Sequence, residues 1–259
     1  MPAEGWMPET IERSFAPLLA RIRTDRPLVH NVTNFVVMNF TANVLLAVGA
    51  SPVMAHAPEE VSDFVAMSRA VVINMGTVDS GYFGSMELAT RKAKKKNVPW
   101  VLDPVGIGAT RFREGIGRYL ARQRPSVIRG NASEIIALAG GLGRSKGVDS
   151  LDGSEAAVEA GKRLSLKRKT VVAVTGSTDF IIDGDNVTAV HGGHPMSQQV
   201  TGTGCAVTAV VGAFLAVAPP REAAIAALEL MKHAAEIAGK TATGPGSFSV
   251  AFIDALAAA

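Results

Sequence analysis

Six short β-branched runs alternate with longer helical patterns along this chain, and that alternation constrains the fold more than any other feature. The runs are "PLVHNV" (27–32), "SPVMA" (51–55), "AVVINMG" (70–76), "WVLDPV" (100–105), "SVIRG" (126–130) and "TVVAVTG" (170–176). Helical segments fill the gaps near 35–48, 58–68, 80–97, 110–123, 131–140 and 154–167. Strands separated by crossover helices predict a parallel sheet covered on both faces. Near 179–192 the pattern changes: "DFIIDGDNVTAVHGG" reads as two strands around Asp183-Gly184-Asp185, a late β-hairpin. Only helices follow, over 204–217, 221–241 and 247–257. No repeat, low-complexity tract or Pro/Ser-rich linker divides the 259 residues. The expectation is therefore one α/β domain spanning 1–259, with a central, mostly parallel sheet flanked by helices.

Such a fold needs a large core, and 47% hydrophobic against 19% charged residues supplies one. A net charge of +3 invites a nucleic-acid reading. The basic clusters argue against it, because "RKAKKKN" and "KRLSLKRK" fall at the ends of predicted helices, where lysines suit the helix dipole. With 5% aromatics there is little to stack on bases, so no nucleic-acid partner is expected. The longest apolar stretch, around 205–218, is too short to span a bilayer, and residues 1–26 lack the pattern of a signal peptide. No membrane association is expected. One cysteine makes no internal disulfide, which fits a cytoplasmic location.

In such sheets ligands sit beyond the carboxyl ends of the strands. Those ends carry "HNVTN", "NMGT", "DPVG", "RGNASE" and "VTGS", polar or glycine-rich tips that read as one site. In "QQVTGTGCAVTAVVGAF", Gly202-Thr203-Gly204-Cys205 lets backbone N–H groups converge at a helix start, a nest for phosphate. The alternative is a plain tight turn feeding a buried helix. Cys205 at that start is expected to have a lowered thiol pKa; it is either a nucleophile or a neighbour of a bound anion. In "RGNASEI", Asn131 and Glu134 fit a capping box, while Glu134 also fits a site for a divalent cation. Asp103 in "LDPVG" either organises the turn before Pro104 or shares a Mg²⁺ with Glu134, an ion that often takes only one or two carboxylates. Arg129 suits a phosphate or an exposed ion pair, and Thr175 a nucleotide phosphate or a turn. "HGGHP" (191–195) reads as a loop more than as a metal site. At 30–61, Thr33 or Asn34 suits a helix cap and Met54 the core; equally, Asn34 and Met54 suit the lining of a small pocket.

Taken together, "PLVHNVTNFVVMNFTANVLLAVGASPVMAHAPEEV", "LDPVGIGAT", "IRGNASEI", "VTGTGCAVTAVVGAF" and "GPGSF" resemble the hydroxyethylthiazole kinases of the ribokinase-like superfamily, in order over about 14–257. The glycine turn and the N-x-x-E pattern belong to the whole superfamily; the amino-terminal block combined with a cysteine in the turn is specific to this family. The resemblance implies ATP-dependent phosphorylation of the alcohol of 4-methyl-5-(2-hydroxyethyl)thiazole, in thiamin biosynthesis and salvage, with Mg²⁺ required. By position it implies that Asn34, Met54 and the Gly202 backbone contact the thiazole and that Arg129 and Thr175 contact ATP. Asp103 and Glu134 would serve the metal. Gly202, Thr203, Gly204 and Cys205 would form an anion hole, with Cys205 where the acceptor hydroxyl meets the γ-phosphoryl. It also implies a homotrimer with sites at subunit interfaces. The competing readings are another small-alcohol kinase of the superfamily, a thiazole-binding protein without turnover, and a cysteine hydrolase.

Overall fold

The computed structural model describes residues 9–10, 15–140 and 151–259. Nine strands form one sheet in the order β1-β9-β8-β7-β6-β5-β4-β2-β3. Six come from the predicted runs: β2 (Leu28–Val32), β3 (Ser51–Val53), β4 (Ala70–Asn74), β5 (Trp100–Asp103), β6 (Val127–Asn131) and β7 (Val171–Thr175). They pair in parallel. The late hairpin is β8 (Asp179–Asp183) and β9 (Asn186–Val190), closed by Gly184 at φ +61° and Asp185, and it makes the two antiparallel pairings. The two-residue strand β1 (Glu9–Thr10) pairs in parallel with β9 at the edge.

Two helical layers cover the sheet, and alternating strand residues decide which layer each side chain enters. Val72 and Val101 join one core with α1 (Phe15–Asp25), α2 (Met38–Ala47), α8 (Thr203–Leu215), α9 (Pro220–Thr241) and α10 (Pro245–Ala258). Val71, Ile73 and Leu102 join the other with α3 (Val61–Met67), α4 (Ser80–Lys96), α5 (Arg111–Arg122), α6 (Ala132–Leu138) and α7 (Leu151–Arg168). Lys94, Lys95 and Lys96 fill the last turn of α4, and Lys167 and Arg168 that of α7, as the dipole argument expects. Two elements were not anticipated besides β1. Helix α1 buries Phe15, Leu19 and Ile22 at helical spacing, with Pro17 in its first turn, where a missing N–H is tolerated. A 3₁₀ helix, Pro195–Gln199, follows the "HGG" loop.

Strand order places the site. From β2 the chain crosses outward to β3, then returns to the other side of β2 and proceeds through β4, β5, β6 and β7. The direction of winding therefore reverses between β2 and β4, where an open α/β sheet leaves a crevice beyond its strand ends. Helix α8 lies over the same strands: a Cβ on Gly212 would stand 2.6 Å from a Val72 methyl, so glycine lets this helix press on β4. Its N-terminus meets the crevice.

Candidate active site

A row of buried polar side chains crosses the reversal point. Asn34, just after β2, donates through Nδ2 to Asn74 Oδ1 (2.9 Å) and to Cys205 Sγ (3.5 Å). Asn74 ends β4 and donates through its own Nδ2 to Asp103 Oδ2 (2.8 Å). Thr208, on α8, donates to the same oxygen (2.7 Å). The Gly76 backbone N–H donates to Asn74 Oδ1 (3.0 Å), and because that donor cannot be reversed it fixes both amide orientations. Asn34 does not cap α2, whose N-cap is Val37 without a side-chain bond. Nor is Asp103 confined to ordering the turn before Pro104; it is the fully buried centre of this row.

Arg129, on β6, reaches Asp103 Oδ2 with Nη1 at 3.6 Å and donates through Nη2 to Thr175 Oγ1 (2.6 Å). Its side chain is 11% exposed, so it is not a surface ion pair. The guanidinium lies over the first turn of α8, 3.3 Å from where a Cβ on Gly204 would stand. Asp103 Oδ1 is buried without a hydrogen-bond partner. Burial pushes its carboxyl up to about 7; Arg129 pulls the other way, Glu134 adds to the rise, and the bonds from Thr208 and Asn74 oppose it.

Both halves of the capping box on α6 are formed. Asn131 Oδ1 accepts from the Glu134 N–H and Glu134 Oε2 from the Asn131 N–H, each at 2.9 Å. Glu134 Oε1 also accepts from the Gly106 N–H (3.0 Å), tying α6 to the loop after β5. Each carboxylate oxygen keeps a second lone pair. Beside Arg129, a cleft of about 240 Å³ opens at the ends of β6 and β7, lined by Asn131, Ala132, Thr175, Gly176, Ser177 and Phe180 among others.

In the glycine turn, Gly202 takes φ +97°, and a Cβ there would come 3.1 Å from Val37 and 3.3 Å from Phe40. Only glycine suits both constraints. Thr203 Oγ1 faces the Ser197 and Val200 carbonyls at 2.6 and 3.0 Å, anchoring the turn to the 3₁₀ helix. Cys205 corrects one expectation. Burial pushes its thiol up and Asp103 pushes it further, outweighing the bonds from Asn74 and Asn34 and the pull of Arg129. A helix N-terminus does not offset a buried position beside a carboxyl. Met54 stands just past the edge strand β3, half-buried, one strand over from Asn34. His191 lies 3.3 Å from Thr178 Oγ1, and His194 stacks on Phe248. No grouping of three or more His, Cys, Asp or Glu side chains able to hold a metal occurs among the described residues.

Sequence reasoning missed Thr208 and Arg113, and read Asn74 only as part of the strand tip "NMGT", without a role of its own. Arg113 donates to the carbonyls of Met75, Gly76 and Val105, joining the loops after β4 and β5. The signal for Asn74 was its place at the end of an apolar run; the structure sets it in register with Asp103.

A buried Asp–Arg pair at the N-terminus of a helix, above the reversal point of a mostly parallel sheet and beside an open cleft, defines a class: ribokinase-like kinases of small molecules. Solved structures share this fold at low identity, among them a ribokinase-like superfamily protein from Enterococcus faecalis (TM-score 0.68, 13% identity, covering 98% of each chain). The profile of the hydroxyethylthiazole kinase family matches residues 19–259, and the chain belongs to that family. It is 51% identical over 243 residues to the hydroxyethylthiazole kinase of Rhizobium rhizogenes, covering 93% of this chain and 91% of that one. To the Cereibacter sphaeroides enzyme of the same name it is 53% identical over 238 residues, covering 92% and 91%. The Pyrococcus horikoshii hydroxyethylthiazole kinase structure superposes with a TM-score of 0.88 at 46% identity, covering 95% of this chain and 93% of that one. The chain is thus an enzyme, a phosphotransferase of the hydroxyethylthiazole kinase family.

Proposed function

We propose that this enzyme transfers the γ-phosphoryl group of ATP to the hydroxyl of 4-methyl-5-(2-hydroxyethyl)thiazole at the crevice where the sheet reverses. One observation carries the assignment of the site: Arg129, Asp103 and the first turn of α8 converge on one point, bounded on one side by Asn34 and Cys205 and on the other by the cleft at Thr175. That supports the thiazole alcohol on the Asn34 side, with Met54 and the Gly202 backbone, and ATP on the Arg129 and Thr175 side. Backbone N–H groups of Gly202, Thr203, Gly204 and Cys205 suit the transferring phosphoryl. The pocket at Met54 would be completed by a neighbouring subunit in a homotrimer. Half-buried β3 at the sheet edge and the exposed Phe35 (51%) and Val36 (67%) beside Asn34 support that arrangement. A reducing cytoplasm suits the lone thiol.

The donor set fits Mg²⁺. Asp103 has a buried oxygen with no partner, and Glu134 has free lone pairs, two oxygen ligands of the kind this ion takes while keeping its waters. Bound there, the ion would supply charge neutralisation on the phosphate oxygens. Arg129 would hold phosphate, and the row from Asn34 to Asp103 would keep alcohol and phosphate chemistry in register. Cys205 would stand against the acceptor hydroxyl. Its thiol is kept neutral, so its role is to orient that hydroxyl more than to strip its proton; in a loose phosphoryl-transfer transition state base strength matters little.

The test is ADP release, measured in a coupled assay with the thiazole alcohol, with and without Mg²⁺. ADP formed only when alcohol, ATP and metal are all present is expected. Equal or faster turnover on a pyrimidine or sugar alcohol would favour another kinase of the superfamily, and alcohol binding without turnover would make the chain a binder.

A further inference from the structure

Helix α9 turns Lys232, Glu236 and Gly239, positions on one helical face, toward two loops, one of which lines the cleft beside Arg129. Lys232 Nζ donates to the Ser177, Gly192 and Gly176 carbonyls at 3.0, 3.2 and 3.4 Å. The Asp179 carboxylate lies 3.5 Å from the same ammonium, and both side chains are almost enclosed, at 7% and 11% exposure. Asp179 Oδ1 also accepts from the Gly176 N–H (2.9 Å). One turn further, Glu236 Oε1 accepts from the Gly193 N–H (3.2 Å). At Gly239 the His194 ring packs so closely that a Cβ would stand 2.4 Å from it.

These contacts have direct consequences for the cleft. Gly176, Ser177 and Thr178 form one of its walls, and Lys232 holds that wall by the Gly176 and Ser177 carbonyls. The second loop runs from Gly192 through His194 into the 3₁₀ helix, whose Ser197 carbonyl accepts from Thr203 in the glycine turn. A single helix face thus sets the nucleotide-side wall and the approach to the anion turn. An ammonium with three donors matches three carbonyls, and Asp179 removes the cost of leaving that charge alone. We propose that Lys232, held by Asp179, is a positioning residue for nucleotide binding: through the Gly176–Ser177 wall it sets affinity for ATP and leaves the thiazole side unaffected. The inference rests on the kinase reading above.

The experiment compares Lys232→Met/Asp179→Asn, which removes both charges and leaves no lone buried ion, with the unaltered enzyme. ATP KM is expected to rise about tenfold or more, since small misplacements of a binding wall are costly. KM for the thiazole alcohol should stay within about twofold. ADP affinity by calorimetry should fall by the same factor as ATP KM rises. Lys232→Arg, which keeps a cation beside Asp179 but replaces the compact ammonium by a planar fork, provides a second variant that leaves no buried carboxylate unpaired; its ATP KM should rise about threefold, again with alcohol KM unchanged. A folded double variant with unchanged ATP KM and ADP affinity would overturn the proposal, as would equal rises in both KM values. If the double variant does not fold, unchanged nucleotide affinity in Lys232→Arg overturns it alone. Should the unaltered enzyme bind ADP yet not phosphorylate the thiazole alcohol, the functional reading fails, while the calorimetric comparison still decides the role of Lys232.

Discussion

Cys205 shows how far one residue's chemistry depends on its tertiary neighbours. A helix start argues for an acidified thiol; Asp103, 102 positions away in sequence, and burial make it a neutral one. Cys205→Ala should therefore keep activity within ~10²-fold, the low end of general-base effects. Cys205→Asp should also turn over, with a raised ATP KM because a carboxylate would face the γ-phosphate. Steady-state kinetics check both, and a loss beyond ~10⁴-fold in each folded variant would restore a covalent role. Glu134→Gln separates metal from cap. The capping-box reading alone predicts near-normal activity, whereas the metal reading predicts a fall of at least ~10-fold. The structure adds a stability cost, because Glu134 serves two backbone N–H groups and a glutamine has only one acceptor oxygen. Melting should show a loss of about 1 kcal/mol beside the kinetic one. Asp103 makes the fold pH-sensitive. Its folded value lies above that of an ordinary carboxylate, so the folded chain binds the extra proton, and stability falls as pH rises from about 4 through about 7. Asp179, also raised by burial, adds to the slope. Melting temperature measured across that range without metal should decline, less so in Asp103→Asn and less so with Mg²⁺ added.

At the scale of elements, the strands and most helices were legible because alternation and length specify a parallel sheet. Helix α1 was less so, since Pro17 interrupts its apolar pattern. The two-residue β1 offers too few residues for any period. Within the site, Asp103, Arg129, Glu134, Thr175 and the glycine turn were readable as strand tips and helix starts. For Asn74 the strand tip was readable but the role was not, and Lys232 was not readable at all, because these roles arise from pairing of β2 with β4 and from a helix face meeting two distant loops. The Gly202 turn ties sequence and element most closely. Gly202→Ala would force a side chain into a left-handed conformation and against Val37, at a cost of roughly 1–2 kcal/mol. The start of α8 would shift with it, so the expected outcome is a lower melting temperature together with a larger loss in kcat than in substrate affinity.

For the whole molecule, one sheet with a continuous core on each face leads us to propose a single domain, and calorimetry should find one unfolding transition. Sedimentation should find trimers, and a fully active monomer would remove the shared-pocket assignment. The lone sulfhydryl has a further use. Cys205 is the only thiol in the chain and lies half-buried against Asn34. A thiol-selective alkylating reagent therefore labels this one spot, and the speed of labelling reports what occupies it. A neutral, half-buried sulfur should react slowly in the free enzyme, more slowly with the thiazole alcohol bound, and almost unchanged with ADP alone, which lacks the γ-phosphate. The enzyme carries a built-in occupancy gauge, readable by mass without introducing any dye.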